Sequence, residues 1–220
     1  MRDIVGWDVR TWSRAIQFWE TQVDPAPPAL DCLELGAGPG GPSLWLALQG
    51  HHVICSNQDS TEAFAAPLHQ RYDVPGTIEY LDINARDIPF EGRFDVVVFK
   101  SVIGGVGDAA DQELAIAGIL RALKPGGRLL FAENIRGTIA HRAARAAMNR
   151  RRHANWRFND LARMRELLSG FSSAEVHTNG VAAVFGPTEG ARRVLAGADR
   201  ALIRITPERW RYMAYGVATK

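Results

Sequence analysis

Three glycines, Gly36, Gly38 and Gly41, lie in LELGAGPGGPSLWLA, Leu33 to Ala47, and Glu34 stands just ahead of them. Glycines at a strand-to-helix turn permit positive φ and let backbone N–H groups approach a ligand with no Cβ in the way. The helix N-terminus that follows favours an anion, either phosphate or carboxylate. Glu34 discriminates between them: a carboxylate here would crowd a pyrophosphate with like charge, but it suits a ligand carrying an ammonium group beside its carboxylate. A dinucleotide site would also want an acidic residue about 20 residues further on, and Asn57 stands there instead.

The elements that must carry this turn are legible in the hydrophobic pattern. Short β-branched runs at DCLEL, HVICS, TIEYL, FDVVVF and RLLFAE alternate with helical patterns at Gly41 to Gln49, Thr61 to Arg71 and Ala109 to Leu123. Such alternation marks β-α units around a parallel sheet. KPGG, Lys124 to Gly127, ends the third of these helices, since proline cannot continue the ladder and the glycines reverse the chain. In NDLARMRELLSG, Asn159 is the expected N-cap and Gly170 the stop. SSAEVHT and WRYMAYGVAT read as an antiparallel pair at one edge, joined by TEGARRVLAGADRALIRI. Ahead of DPAPPA, the helix DVRTWSRAIQFWE places Trp12, Ile16 and Trp19 at helical spacing. Core packing is the simple reading of that face, and a lid over the ligand the functional one.

At 220 residues and 46% hydrophobic content the chain has room for one sizeable core, so one domain is expected. Cys32 and Cys55 lie in apolar strand-like runs without the spacing of a zinc site or disulfide framework, so no metal is expected. No apolar run approaches the ~20 residues that cross a bilayer, and MRDIVGWDVR lacks the apolar core of a secretory signal, so the expectation is a cytoplasmic protein. A net charge of +2 gives no global argument for nucleic acid. Charge is nevertheless uneven: RGTIAHRAARAAMNRRRHANWR, Arg136 to Arg157, contains no acidic residue. It reads either as a solvated face or as Arg142, Arg145 and Arg150 to Arg152 meeting phosphate or carboxylate on a substrate or a membrane surface. RNA ranks lower, because Trp156 and Phe158 are the only stacking side chains there.

LELGAGPGG, FDVVVFKSVIGG and ALKPGGRLLFAE, in this order and spacing, resemble the motifs of class I S-adenosylmethionine-dependent methyltransferases, of the small bacterial type 11/25 kind. The resemblance runs from about Leu30 to the final strand. It implies an α/β, Rossmann-like fold with a seven-stranded, mostly parallel sheet, an antiparallel last strand and helices on both faces. The single domain, 1–220, would comprise an N-terminal helical lid (1–29), a cofactor-binding core (30–135), a basic substrate-side insert (136–158) and a C-terminal helix with antiparallel strands (159–220). Carried over residue by residue, the resemblance implies that Glu34, Gly36, Ala37, Gly38 and Gly40 cradle the methionine end of S-adenosyl-L-methionine. Asn57 falls at the ribose, Gln58, Asn84 and Ala85 at the adenine, and Lys100 and Ser101 beside the methionine moiety, with Trp12 contributed by the lid. The family usually carries acidic residues at positions 57 and 84. Asparagine has one carbonyl acceptor beside a donor, so weaker affinity is implied; Asp59 and Asp82 stand nearby.

WDVRTWSRAIQFWE and FGPTEG with ITPERWRYMAYGVA also resemble methyltransferases of polysaccharide and natural-product pathways. The implied substrate is a small molecule, a sugar, glycoside or natural-product intermediate, anionic or phosphate-bearing, methylated on oxygen or nitrogen. Such transfer needs alignment in a water-poor pocket, and a base only where the acceptor has a proton to lose. His51 and His52 enter the second strand at the wrong edge of the sheet and read as solvated, while His69 and His177 read as packing or surface residues. His141 and His153 follow the fifth strand, whose end AEN faces the pocket, and with Glu133 they are the candidate bases. FKSV replaces the Asn-Pro-Pro-aromatic motif expected for exocyclic amines of nucleobases. Two rival readings are an NAD(P)-dependent oxidoreductase and a methyltransferase-like subunit that has lost cofactor binding.

Overall fold

The computed structural model describes residues 1–23, 28–152 and 156–220, without the side chains of Met148, Arg151 and Arg152. Seven strands form one sheet: β1 (Asp31–Leu35), β2 (His52–Asn57), β3 (Thr77–Asp82), β4 (Phe94–Lys100), β5 (Leu123–Asn134), β6 (Ser173–Asn179) and β7 (Met213–Thr219). Their order is β3-β2-β1-β4-β5-β7-β6. β1 to β5 are parallel, and β7 runs antiparallel to both β5 and β6.

Side-chain alternation in the central strands builds two cores. Val97 and Phe99 of β4, with Leu129 and Phe131 of β5, face one cluster that takes in Ile116 and Ile119 of α5 (Ala109–Ala122) and Met164 of α7 (Leu161–Leu167). Val96, Val98, Leu130 and Ala132 face the other, against α2 (Val9–Trp19) and α3 (Gly41–Leu48). Strands buried on both faces read as near-continuous apolar runs, as FDVVVF does. The other helices are α1 (Arg2–Val5), α4 (Thr61–His69), α6 (Ile139–Arg152) and α8 (Glu189–Ile205).

Two expectations change, and for α2 the core reading holds over the lid. KPGG is no terminating loop: β5 begins at Leu123, and the pairing with β4 shifts register between Phe94 and Val96, so Lys124 to Gly127 form an irregularity inside the strand. Asp160, not Asn159, caps α7, accepting the Arg163 N–H at 2.9 Å, while Asn159 donates to Gln112 Oε1 at 2.9 Å. α2 is part of the second core, with Trp12, Ile16 and Trp19 each 0% exposed and Trp19 Nε1 donating to Gly216 O at 3.2 Å. Burial of that whole stripe fixes the helix against the sheet.

Candidate functional site

The turn from β1 into α3 is left-handed at each of Gly36, Gly38 and Gly40, with φ of 60°, 54° and 80°. The three glycines do different things. A Cβ on Gly36 would meet Val102 Cγ2 at 2.6 Å, so the loop after β4 packs directly on the turn, and one on Gly40 would meet His69 Nε2 at 2.4 Å. A Cβ on Gly38 would meet nothing within 4 Å. The space beside the Gly38 Cα is therefore open while its neighbours are packed. Ala37, buried beside it, ties the turn to β2 through its N–H on Ser56 O at 2.9 Å.

Glu34 is buried under this turn. Its Oε2 accepts both the Ser43 N–H at 2.7 Å and the Ser43 hydroxyl at 2.5 Å, so the carboxylate meets the first turn of α3. Burial pushes its pKa up to about 7, against the opposing pull of the Ser43 hydrogen bonds and of Lys100. Lys100 ends β4; burial lowers the pKa of its ammonium, while Glu34 and Glu133 favour its charged form. Its Nζ lies 4.8 Å from the centroid of the Trp12 ring. Trp12 itself is wholly buried, so in this arrangement it bears on the site through Lys100 and does not line it.

Asn57 closes the far side of the turn. Its Oδ1 accepts the Gly38 N–H at 2.7 Å and its Nδ2 donates to Gly38 O at 3.2 Å. Gln58 and Asp59 follow, exposed. Asp82 is committed elsewhere, accepting the N–H groups of Ser60 and Thr61 at the start of α4. Asn84 accepts the Arg86 N–H at 3.0 Å, and Ala85 packs against the first core.

Both described candidate bases are engaged by backbone groups. His141 Nδ1 accepts the Thr138 N–H at 2.9 Å, which puts its proton on Nε2, donated to Val181 O at 2.7 Å. Burial lowers its pKa further. Glu133 Oε2 accepts the N–H groups of Val102 and Ile103, both at 2.8 Å, and Oε1 that of Asn134 at 2.9 Å. Glu133 thus organises the loop after β4, and burial pushes its pKa up to about 7. His153 lies outside the described residues. His51 is buried, not solvated, and its Nδ1 accepts the Leu30 N–H at 3.3 Å.

Ser101, in a left-handed conformation with φ 60°, follows Lys100 and takes the Asn134 amide on its hydroxyl at 2.8 Å. Both residues line a cavity of about 510 Å³ at the carboxyl ends of β4 and β5, walled also by Trp7, Trp156, Phe158 and Arg145. Sequence reasoning passed over Trp7 as a site residue and gave Trp156 and Phe158 only to a possible RNA platform. Their one signal was a cluster of aromatics bracketing the glycine-bearing and arginine-bearing segments.

Residues 33–131 match the methyltransferase domain family. The match covers 99 of the 220 residues. In this class S-adenosylmethionine is the methyl donor. The chain is similar to the ubiquinone/menaquinone biosynthesis C-methyltransferase UbiE of Shewanella piezotolerans, 27% identical over 139 residues, which are 60% of this chain and 53% of the relative. The chain thus spans about half the length of the curated relatives it matches. Among solved structures, phosphoethanolamine N-methyltransferase 2 of Haemonchus contortus with S-adenosyl-L-methionine superposes over 95% of this chain and 52% of that one, at TM-score 0.62 and 19% identity. The N-methyltransferase NodS of Bradyrhizobium japonicum with S-adenosyl-L-homocysteine superposes over 95% of this chain and 86% of that one, at TM-score 0.60 and 15% identity. At these identities the likeness is one of fold.

The residues at the turn fit such a donor. Gly38 leaves open space beside its Cα, and the buried Glu34 carboxyl would suit an ammonium group and crowd a pyrophosphate with like charge.

Proposed function

We propose that this chain transfers a methyl group from S-adenosyl-L-methionine to an oxygen or nitrogen of a small molecule, a sugar, glycoside or other natural-product intermediate, in the cytoplasm. The observation that carries the reading is the pairing of open space beside the Gly38 Cα with a buried Glu34 carboxyl on one turn, with a cavity at the carboxyl edge of the sheet. Ligands of open α/β sheets bind at that edge. Glu34, Gly36, Ala37, Gly38 and Gly40 would hold the methionine end, Asn57 the ribose, and Gln58, Asn84 and Ala85 the adenine. Ser101 and the backbone of Lys100 would border the methyl-bearing end, whose sulfonium supplies an electrophilic carbon.

The chain's own contribution is positioning and exclusion of water. Glu133 holds Val102 and Ile103 in place by their N–H groups, so the loop that separates turn and cavity has one geometry. With the nitrogens of His141 engaged, the described walls offer no side chain poised to remove a proton. The acceptor must then carry a lone pair available near neutral pH, and alignment supplies the rate.

Titration calorimetry with S-adenosylhomocysteine and with NADH tests the reading. Heat with the first alone is expected. Heat with NADH favours an oxidoreductase, and silence with both favours a non-catalytic subunit.

A further inference from the structure

The cavity beside the turn has an unusual wall. Its charged side chains are both cations, Arg145 and Arg192, and its large apolar faces are aromatic, Trp7, Trp156 and Phe158. Arg145 is only 6% exposed, yet the oxygens it touches are neutral: its guanidinium donates to Ile135 O, to Tyr212 O at 3.0 Å and to Asn134 Oδ1 at 3.2 Å. The same group lies 4.4 Å from the centroid of Phe158. Among the described residues no carboxylate makes a contact ion pair with it, and the anion acting on it, Glu133, does so without touching it and spends its oxygens on backbone N–H groups. A buried cation without a paired anion is costly, and an acid brought by a ligand relieves that cost.

Arg192 differs: it is half-buried and ion-paired, and its carboxylate partner is shared with backbone groups. Its nearest carboxylate, Glu189, stands 3.7 Å away and is already accepting the Asp8 and Val9 N–H groups at 2.9 and 2.7 Å. The Arg192 guanidinium rests 5.5 Å from the centroid of Trp7. Trp156 lies flat enough on the loop after β4 that a Cβ on Gly104 would meet its Nε1 at 2.0 Å, so this indole is seated by a pair of glycines, Gly104 and Gly105. The aromatic wall is therefore built from both sides, with the two guanidinium groups stacked into it.

Resting on the methyltransferase reading above, we infer that this cavity binds the acceptor as a planar aromatic acid, its ring between the aromatic side chains and its anionic group toward Arg145 and Arg192. Flat rings stack on indole and phenyl faces and on guanidinium planes, whereas a saturated sugar ring does so less well. An acid enters already ionised near neutral pH, so the cationic wall has a charge to hold.

The test is calorimetric titration of the full chain, saturated with S-adenosylhomocysteine, with three probes: 4-hydroxybenzoate, its methyl ester and cyclohexanecarboxylate. The aromatic acid is expected to bind at least tenfold more tightly than either of the others. Arg192→Gln is expected to weaken the aromatic acid about tenfold and leave the ester unchanged, with an unaltered melting curve and unaltered S-adenosylhomocysteine affinity. Equal affinity for ester and acid overturns the charge assignment, and equal affinity for the saturated acid overturns the ring assignment. Binding of S-adenosylhomocysteine with no preference among the probes overturns this inference and leaves the methyltransferase reading standing. Loss of S-adenosylhomocysteine binding in the wild-type chain overturns both.

Discussion

Asn57 and Gly38 are joined by two hydrogen bonds in opposite senses, Gly38 N–H to Asn57 Oδ1 at 2.7 Å and Asn57 Nδ2 to Gly38 O at 3.2 Å. A side-chain amide accepts and donates in this way, and an ionised carboxylate cannot. An aspartate would keep the first bond and turn a carboxylate oxygen on a carbonyl in place of the second. The departure from an acidic residue at this position thus has a local structural return, a glycine turn locked to the end of β2.

Asn57→Ala should remove both bonds and destabilise the fold by about 1–2 kcal/mol. Asn57→Asp should cost less than the alanine variant, because the acceptor remains. Chemical denaturation of the three proteins gives the order, and an alanine variant as stable as the wild type would mean the pair contributes nothing.

Gly38 and Gly36 should separate binding from folding. Both sit at positive φ, which costs a non-glycine residue roughly 1–2 kcal/mol, but only Gly36 has a neighbour, Val102, in the path of a Cβ. Gly38→Val is expected to fold and lose S-adenosylhomocysteine binding, while Gly36→Val is expected to lose much more stability. Thermal melts and calorimetry on both variants decide this, and unchanged affinity in Gly38→Val would falsify the position of the site.

Affinity for S-adenosylhomocysteine should depend on pH through Glu34. Its folded carboxyl, raised to about 7, is protonated below that pH and then offers an ammonium group no charge. Binding should weaken by up to about tenfold for each pH unit below 7 and level off above it. Glu34→Gln should bind weakly and show no such slope. A flat wild-type profile between pH 5.5 and 7.5 would remove Glu34 from ligand binding.

Asp8 should make stability fall as pH rises. Burial pushes its carboxyl from 3.8 up to about 6, partly opposed by hydrogen bonds from Tyr212 and Thr11. A raised carboxyl binds its proton more tightly in the folded chain, so its stabilising effect is complete below the unfolded value near 3.8 and is lost as pH climbs through 6. Asp8→Asn, tolerated at φ 47° because asparagine enters the left-handed region readily, should gain about 2–3 kcal/mol relative to wild type between pH 3.5 and 7.5. Denaturation curves across that range measure the difference, and a constant offset would show that Asp8 does not titrate there.

His141 should behave as a structural residue. It is buried, both nitrogens are engaged, and it stacks at 4.9 Å on Phe185. His141→Ala is expected to lower stability by about 2–4 kcal/mol and to leave S-adenosylhomocysteine affinity near the wild-type value. An unchanged melting point would contradict this and return His141 to the list of candidate bases.

Much of the fold was readable because its signals are local. The β-branched runs became β1 to β4 nearly residue for residue and the core of a longer β5, the late antiparallel pair became β6 and β7 at one edge, and the helix spacing of Trp12, Ile16 and Trp19 became a buried stripe. The cap of α7 fell one residue away from expectation, since Asn159 found a tertiary partner in Gln112 and left Asp160 to the helix.

By itself the sequence determined the β-α alternation, the position of the glycine turn and the class of ligand that a glutamate beside it suits, because periodicity, backbone freedom and charge type are properties of single residues and short spacings. Tertiary structure alone decided that Asn57 clasps Gly38, that His141 and Glu133 spend their polar atoms on backbone groups, and that Trp7, Trp156 and Phe158 share a cavity with Arg145 and Arg192. Those facts depend on which lone pairs are already taken and which side chains meet across the sheet edge. Both depend on residues far apart in the chain, which no local spacing encodes.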